Sequence, residues 1–203
     1  MTADARRYAP ATDRNRAAIL ALLQRELPAR GLVLEIASGS GEHIVYFAGS
    51  SSATLAFQPS DPDPSARASI DAWVGHHRSR NVRPAIALDA SAAAWPIDRA
   101  DAILCINMIH ISPWSATVGL LRGAARILPP AGLLYLYGPY NRAGRFTSAS
   151  NEAFDQDLRA RNPQWGIRDL ESVEALAAAE GFAPPTVIEM PANNLSLVFR
   201  HTA

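Results

Sequence analysis

An apolar run that leads directly into a glycine-rich turn constrains the fold of this chain more than any other segment. Residues 32–36, Leu-Val-Leu-Glu-Ile, are predicted to form a buried strand, and Gly39 and Gly41 follow it. The next stretch, residues 44–48, is apolar and compatible with a helix. A strand, a glycine turn and a helix in this order bring backbone close to a ligand and direct free N–H groups towards it.

Two classes of cofactor-binding protein use this arrangement, and the spacing of the small residues separates them. The dinucleotide fingerprint G-x-G-x-x-G needs a third small residue where this chain has Ile44. A nicotinamide-dependent oxidoreductase is therefore disfavoured. The other pattern is an acid followed at alternate positions by small residues, which this chain matches with Glu35, Ala37, Gly39 and Gly41.

The second pattern resembles the first motif of class I methyltransferases that use S-adenosylmethionine (SAM). The resemblance implies that Glu35 lies near the methionine amino group and that the turn backbone contacts the cofactor. The cofactor contacts predicted in this turn are Ala37, Ser38, Gly39, Ser40 and Gly41. That family usually has glycine at the position of Ala37, and alanine is strained there if its φ angle is positive.

The composition favours a single domain, residues 1–203, without a structural metal or a membrane anchor. The 203 residues suit one domain, and 19 acidic and 19 basic side chains give a formal net charge of zero. The sequence contains no run of basic residues of the kind that indicates nucleic-acid binding. Cys105 is the only cysteine, so no intrachain disulfide is possible, and no cysteine–histidine cluster suggests a metal. No stretch approaches the roughly 18 apolar residues of a membrane helix, and we expect a soluble, cytoplasmic protein.

Alternating strand-like and helix-like segments predict an α/β fold. We predict strands at residues 32–36, 54–57, 85–88, 102–106, 133–137, 186–190 and 195–200. Helices are predicted from 12 or 13 to 27, and at 41–48, 65–77, 117–128 and 169–181. Residues 138–168 form a long polar insertion, and the last two strands are expected to pair as an antiparallel hairpin. The expected architecture is the class I SAM-methyltransferase (Rossmann-like) fold with a seven-stranded, mostly parallel sheet.

In such sheets, ligands bind beyond the carboxyl ends of the strands, where the strand order reverses. Asp61 follows the second strand, where a carboxylate can accept hydrogen bonds from both ribose hydroxyls of a nucleoside. Gln58 is the alternative residue for that contact, and the alternative role of Asp61 is a helix cap.

Two later strand ends complete the predicted cofactor site. Asp89 follows the third strand, where class I methyltransferases place an acid on the adenine amino group, and Ala90 beside it could line the adenine slot. The alternative role of Asp89 is a loop cap. Backbone at Asn107, Met108 and Ile109, after the fourth strand, is expected to pass near the sulfonium.

Residues beyond the cofactor contacts are candidates for the acceptor side. His110 is our candidate for the base that removes a proton from a hydroxyl or amine acceptor, and alternatively it fixes the loop through Ser112 or Trp114. Tyr140 is expected to pack against the acceptor or the sulfonium. The residues predicted to bind the substrate are Asn141, Ser148 and Asn151. The remaining histidines are interpreted as helix-surface or tail residues: His43, His76, His77 and His201.

Segments spread over nearly the whole chain resemble one family, a methyltransferase-like group catalogued as a domain of unknown function. The matching segments are residues 8–15, 34–43, 57–61, 105–113, 137–140, 150–151, 154–155, 158–159, 161–163, 165–166, 168–169 and 190–194. The resemblance implies SAM binding and singles out Arg14 and Asn15. Arg14 could reach the methionine carboxylate or an anionic acceptor, or it could be a surface residue. We therefore expect a SAM-dependent methyltransferase acting on a small-molecule acceptor, or alternatively a SAM-binding module without turnover.

Overall fold

Apolar strands that are buried on both faces form the centre of the protein. The computed structural model describes residues 4–202, and seven strands in this part of the chain form one sheet. They are β1 (Gly31–Ile36), β2 (Leu55–Pro59), β3 (Ala102–Ile106), β4 (Leu133–Asn141), β5 (Arg168–Asp169), β6 (Thr186–Met190) and β7 (Asn194–Arg200). The strand order is β2-β1-β3-β4-β7-β6, and β5 pairs with the end of β4. All pairs are parallel except those of β7, which runs antiparallel to β4 and β6, so the predicted architecture is confirmed.

Helices cover both faces of this sheet. They are α1 (Pro10–Glu26), α2 (Glu42–Gly49), α3 (Pro64–His77), α4 (Trp114–Ile127), α5 (Ala149–Arg161) and α6 (Leu170–Ala179). α1, α2 and α3 share one core with Val33 of β1, while α4 and α6 share another with Leu34. Because successive strand residues point to opposite faces, a strand covered on both sides is apolar at most of its positions. Within residues 4–202, no helix has both the length and the apolar character needed to cross a membrane.

The predicted strand at residues 85–88 is not formed. Instead, two isolated parallel bridges join this part of the chain to β2 and the residue after it: Val82 with Phe57, and Ile86 with Ser60. Pro59 of β2 has no N–H group to donate to this segment, and the N–H of Ala85 donates instead to the side chain of Asp71 in α3. The hydrogen-bond ladder between this segment and β2 is therefore interrupted. The seventh strand is instead the two-residue strand β5, which no sequence pattern predicted.

The insertion after β4 is more regular than the predicted loop. β4 continues to its last residue, Asn141, and α5 lies inside the insertion. The buried residues of α5 are Asn151, Asp155 and Leu158, so its inner face is mainly polar and shows no apolar periodicity. Ser148 caps this helix by accepting a hydrogen bond from the N–H of Asn151, 3.1 Å away.

Candidate cofactor and acceptor site

The candidate site lies beyond the carboxyl ends of β1 and β3, at the switch point of the sheet. These strands are neighbours, but the chain continues from β1 to the β2 side and from β3 to the β4 side. Such divergence creates the crevice that open α/β sheets use for ligands. The turn at residues 37–41 borders it on one side and the loop at residues 107–113 on the other. The end of β2 adjoins the turn, because the N–H of Ser38 donates to the carbonyl of Ser60, 2.8 Å away.

The turn at residues 37–41 contains three positive φ angles. They are +55° at Ala37, +59° at Gly39 and +92° at Gly41. Gly41 also lies so close to α3 that a Cβ atom there would be 2.7 Å from the Cα of Ile70. Glycine is therefore required at position 41, whereas Ala37 adopts a left-handed conformation that strains an alanine.

Replacing Ala37 by glycine is expected to raise the free energy of unfolding by up to about 1 kcal/mol, because relief of the strain exceeds the added chain entropy. Urea unfolding of both proteins measures the difference. Ala17→Gly is the matched control: Ala17 is an exposed residue inside α1, and glycine there should cost about 1 kcal/mol. If the two substitutions destabilise the protein equally, Ala37 is not strained.

Asp61 and Gln58, the two candidates for the ribose contact, are both buried but make different contacts. The Oδ2 of Asp61 accepts the N–H of Gly39 at 3.0 Å, and its Oδ1 accepts the N–H of Asp63 at 2.9 Å. The side-chain amide of Gln58 donates to the carbonyls of Pro59 and Pro84, at 3.0 and 2.8 Å. The carboxylate of Asp61 therefore faces the glycine turn, whereas the amide of Gln58 holds the segment that runs beside β2.

Glu35 carries a buried carboxyl group at the end of β1. Its side chain is 1% exposed, and its Oε2 has no hydrogen-bond partner among residues 4–202. Burial raises the pKa of Glu35 to about 8, with a smaller upward contribution from the charge of Asp61 and an opposing one from the Ser38 hydroxyl. The carboxyl group is therefore protonated at neutral pH, and its free oxygen is suited to a donor in the crevice. A cationic amine such as that of SAM fits this position.

The predicted adenine contacts lie on the loop after the bridge at Ile86. Asp89 is exposed, and its Oδ1 accepts both the N–H and the hydroxyl of Ser91, at 2.8 and 2.7 Å. These are the contacts of a loop cap, and the adenine contact remains a prediction. Ala90 is buried against α4, where Gly119 leaves room for its carbonyl. A surface cavity of about 660 Å³ lies beside this loop, on the outer side of α4, and its lining residues do not include the glycine turn.

The loop after β3 begins with a backbone turn. Asn107 has a φ of +62°, and its N–H donates to the carbonyl of Tyr137, 2.8 Å away. Residues 108–110 then form one turn of 3₁₀ helix, in which Met108 and Ile109 are buried in the core beneath α4. The side chains anchor the loop, and its backbone borders the crevice.

His110 and Tyr140 lie inside the protein, the Nε2 of His110 and the hydroxyl of Tyr140 have no hydrogen-bond partner among residues 4–202, and their place beside the acceptor remains a prediction. Both side chains are 0% exposed, and their rings meet edge to face with centroids 4.9 Å apart. The Nδ1 of His110 accepts the N–H of Arg168 at 3.4 Å, and its carbonyl accepts the N–H of Gly166 at 2.9 Å. Burial, assisted by the charge of Arg168, lowers the pKa of His110 to about 3, so the ring is neutral. This arrangement matches the alternative in which His110 fixes the loop, although the partners differ from those expected.

The three predicted substrate residues are placed differently from one another. Ser148 caps α5, and the side-chain amide of Asn151 donates to Thr147 Oγ1 and to the carbonyl of Asn193, at 2.9 and 3.1 Å. These two residues join α5 to the turn between β6 and β7. Asn141, at the end of β4, has a buried side-chain oxygen with no hydrogen-bond partner in the described part of the chain. Among the three residues, Asn141 therefore has an oxygen suited to a substrate donor.

A polar cluster at the start of α1 was not predicted from residue patterns alone. Asn15 is buried, with its side-chain oxygen 2.8 Å from the Nε2 of His43. His43 is therefore not a helix-surface residue, and burial, assisted by the charge of Arg16, lowers its pKa to about 4. The resemblance singles out Asn15 together with Arg14, and Arg14 is exposed one position earlier. The interpretation of His201 as a tail residue is also wrong, because that ring is buried against the Leu128 carbonyl.

Comparisons with known proteins agree with this geometry. A family described as "Protein of unknown function (DUF938)" matches residues 6–201. The chain belongs to this family. An O-methyltransferase family protein from Burkholderia thailandensis has a similar structure, with a TM-score of 0.77 and 17% identity over 95% of this chain and 60% of that one. Human N-acetylserotonin methyltransferase in complex with SAM gives a TM-score of 0.78 and 13% identity, and the match covers 95% of this chain and 53% of the human one. YcgJ from Bacillus subtilis gives a TM-score of 0.70 and 16% identity, and the match covers 94% of this chain and 99% of YcgJ.

These likenesses show that the DUF938 chain has the class I methyltransferase fold. The identities are too low to carry an activity or a substrate from one protein to another. The chain also spans only 60% and 53% of the first two proteins. Function must therefore be argued from the residues around the crevice.

Proposed function

We propose that this protein binds SAM in the crevice between β1 and β3 and transfers its methyl group to a small-molecule acceptor. The observation that carries the proposal is the buried carboxyl oxygen of Glu35, which lacks a partner among residues 4–202 and lies where β1 enters the glycine turn. A buried polar atom without a partner costs free energy, and a bound donor removes that cost. The methionine ammonium group of SAM is such a donor. The methyltransferase with a similar fold that is described in complex with SAM supports the proposal.

The neighbouring strand ends would hold the rest of the cofactor. The backbone of the turn at residues 37–41 would contact the methionine part, and Arg14, which is exposed on α1, would bind its carboxylate. Asp61 would accept the ribose hydroxyls with a carboxylate that already faces the turn. The adenine would lie between Ala90 and the backbone of residues 107–109, with Asp89 at its edge.

Bound SAM supplies a methyl group that is already activated as part of a sulfonium. The contribution of the protein is then alignment, which can lower a barrier by roughly 7–11 kcal/mol when the reacting atoms are held in line. We propose that the side-chain oxygen of Asn141 contacts the acceptor, because it is buried and unpartnered within the described residues. His110 would support the loop at residues 107–113 rather than remove a proton.

One observation favours the alternative of a SAM-binding module without turnover. The two rings that could serve an acceptor, His110 and Tyr140, are both 0% exposed, although the Nε2 of His110 and the hydroxyl of Tyr140 have no hydrogen-bond partner among residues 4–202. A module of this kind would bind the cofactor with the same crevice residues and would not consume it.

Calorimetric titration with SAM and with S-adenosylhomocysteine (SAH) tests the binding proposal, and NAD serves as the matched dinucleotide control. We expect both sulfur nucleosides to bind and NAD not to bind. If neither SAM nor SAH binds, both functions above are rejected. Incubation with methyl-labelled SAM and a mixture of extracted metabolites then separates them, because only the enzyme transfers label to a small molecule.

Replacing Asp61 by asparagine is expected to weaken SAH binding about 10-fold or more, because charge-assisted hydrogen bonds to the ribose are replaced by neutral ones. Titration calorimetry measures the change. Asp63→Asn is the control: Asp63 is exposed and caps α3 by accepting the N–H of Ser65 at 2.9 Å. That substitution should lower stability slightly and leave SAH affinity unchanged. Equal affinities of the Asp61 variant and wild type would remove the ribose assignment.

A further inference from the structure

One side chain of the insertion holds the loop that borders the crevice. The guanidinium of Arg168 donates to the carbonyls of Ile109, Ser112 and Gln164, at 2.9, 2.6 and 3.1 Å. Its Cζ also lies 5.7 Å from the centroid of the Trp114 ring, at the start of α4. Two of the three carbonyls belong to the loop at residues 107–113, and the third belongs to the insertion. The side chain therefore joins the two segments.

The backbone of the same segment holds the middle of the loop. Gly166 and Arg168 donate their N–H groups to the carbonyl and the Nδ1 of His110, at 2.9 and 3.4 Å. In β5, Arg168 pairs with Tyr140 of β4, whose ring meets the His110 ring edge to face. The position of the guanidinium is thus fixed relative to β4 and therefore to the whole sheet.

The insertion is shaped so that Arg168 arrives at this position. Gly166 has a φ of +150°, and a Cβ atom there would lie 2.7 Å from the Oδ1 of Asp155. The same Oδ1 accepts the N–H of Ile167 at 2.7 Å, and Oδ2 accepts the Nε of Arg159 at 2.6 Å. Because Asp155 is a buried residue of α5, that helix determines the path of residues 166–168.

We infer that Arg168 is a positioning residue, which sets the loop at residues 107–113 at the distance from the glycine turn that the cofactor requires. The inference rests on the proposed function, since it assigns that loop to one wall of the SAM site. A guanidinium presents five donors in a rigid planar fork and can hold three carbonyls at once, whereas a lysine ammonium is a compact point charge on a flexible stem. Displacement of a wall by about 1 Å is enough to disturb the alignment that methyl transfer needs.

The test compares Arg168→Met and Arg168→Lys with wild type, using SAH as the probe. Arg161→Met is the control: Arg161 lies in the same insertion, is exposed, pairs with Asp157 and covers the Trp165 ring. Calorimetry gives SAH affinity. Amide hydrogen exchange, at a temperature where every variant is folded, measures how often the backbone amides of the loop at residues 107–113 open to solvent. We expect Arg168→Met to weaken SAH binding at least 10-fold and to accelerate exchange in that loop at least 10-fold. Arg168→Lys should fall between Arg168→Met and wild type, and Arg161→Met should match wild type.

Wild-type affinity and wild-type loop exchange in Arg168→Met would overturn the inference. Exchange that accelerates equally across the sheet in both Arg168 variants would also overturn it, because Arg168 would then contribute only to global stability. Failure of the wild-type protein to bind SAH would reject the proposed function instead. In that case loop exchange alone still decides whether Arg168 positions the loop.

Discussion

Replacing Glu35 by glutamine is expected to stabilise the cofactor-free protein at neutral pH by up to about 3 kcal/mol. Burial raises the pKa of this carboxyl group from 4.5 to about 8 in the folded protein. Once unfolded, the group ionises at its ordinary value. Between these two pH values the folded state retains a proton that the unfolded state has lost, so stability falls as pH rises. Each pH unit in this window costs about 1.4 kcal/mol, and glutamine, which does not titrate, avoids the loss.

Urea unfolding at several pH values between about 4.5 and 8 measures this effect. The stability of wild type should fall relative to Glu35→Gln across that window, and the two proteins should converge near its acidic end. Glu42→Gln is a control of opposite sign, because Glu42 is also buried but its Oε2 accepts the N–H of Ala9 and the hydroxyl of Ser40, at 2.6 and 2.9 Å. That substitution should destabilise the protein. A constant difference between wild type and Glu35→Gln at all pH values would show that Glu35 is ionised when folded.

The same substitution should weaken cofactor binding, since Glu35 is proposed to accept the methionine ammonium group. A charged hydrogen bond to a buried group contributes about 1.5–3 kcal/mol, so we expect SAH affinity to fall about 10-fold or more. In wild type the cation would draw the proton from Glu35, and binding near pH 7 would release it. Calorimetry in two buffers of different ionisation enthalpy counts that proton. If SAH binds without proton release, Glu35 does not accept the ammonium group, and that assignment is rejected.

The parts of the fold that could be predicted are those that short segments of sequence encode. β1 and the glycine turn follow from an apolar run that ends in closely spaced glycines, and the structure places positive φ angles at Gly39 and Gly41. The strand at residues 85–88 was wrong because apolar character alone ignores the missing N–H of Pro59 in the neighbouring strand and the bond from the Ala85 N–H to Asp71. α5 escaped prediction because its buried face carries an amide and a carboxylate beside Leu158.

The chemistry of individual side chains depends on contacts between distant segments, which no local pattern reveals. His110 follows β3 like an accessible loop residue, yet residues 166–168 cover it from the far side of the insertion. Asn15 and His43 meet although one lies in α1 and the other in α2. The sequence identified each of these residues, but each side chain is covered by a partner at least 28 positions away in the chain, so its burial could not be predicted.

Replacing Gly41 by alanine is expected to lower the free energy of unfolding by about 3 kcal/mol and to abolish measurable SAH binding. The residue has a φ of +92°, which an L side chain rarely adopts, and its Cβ would lie 2.7 Å from the Cα of Ile70. Ile70 is fully buried in α3, so the clash is with backbone that cannot rotate away. Either α3 moves outwards or the turn shifts towards the crevice, and the second response displaces the turn backbone that is proposed to contact the cofactor.

Gly75→Ala is the matched control for this prediction, because Gly75 lies within α3 and a Cβ atom there would meet no described atom within 4 Å outside its own helix backbone and chain neighbours. Alanine there should raise stability by up to about 1 kcal/mol, since it reduces the conformational entropy of the unfolded chain without a clash. Thermal unfolding and SAH calorimetry on both variants give the comparison. If Gly41→Ala is as stable as Gly75→Ala, then α2 and α3 can separate at little cost. If it also binds SAH normally, the turn at residues 37–41 is not the wall of the cofactor site, and the proposed function loses its structural basis.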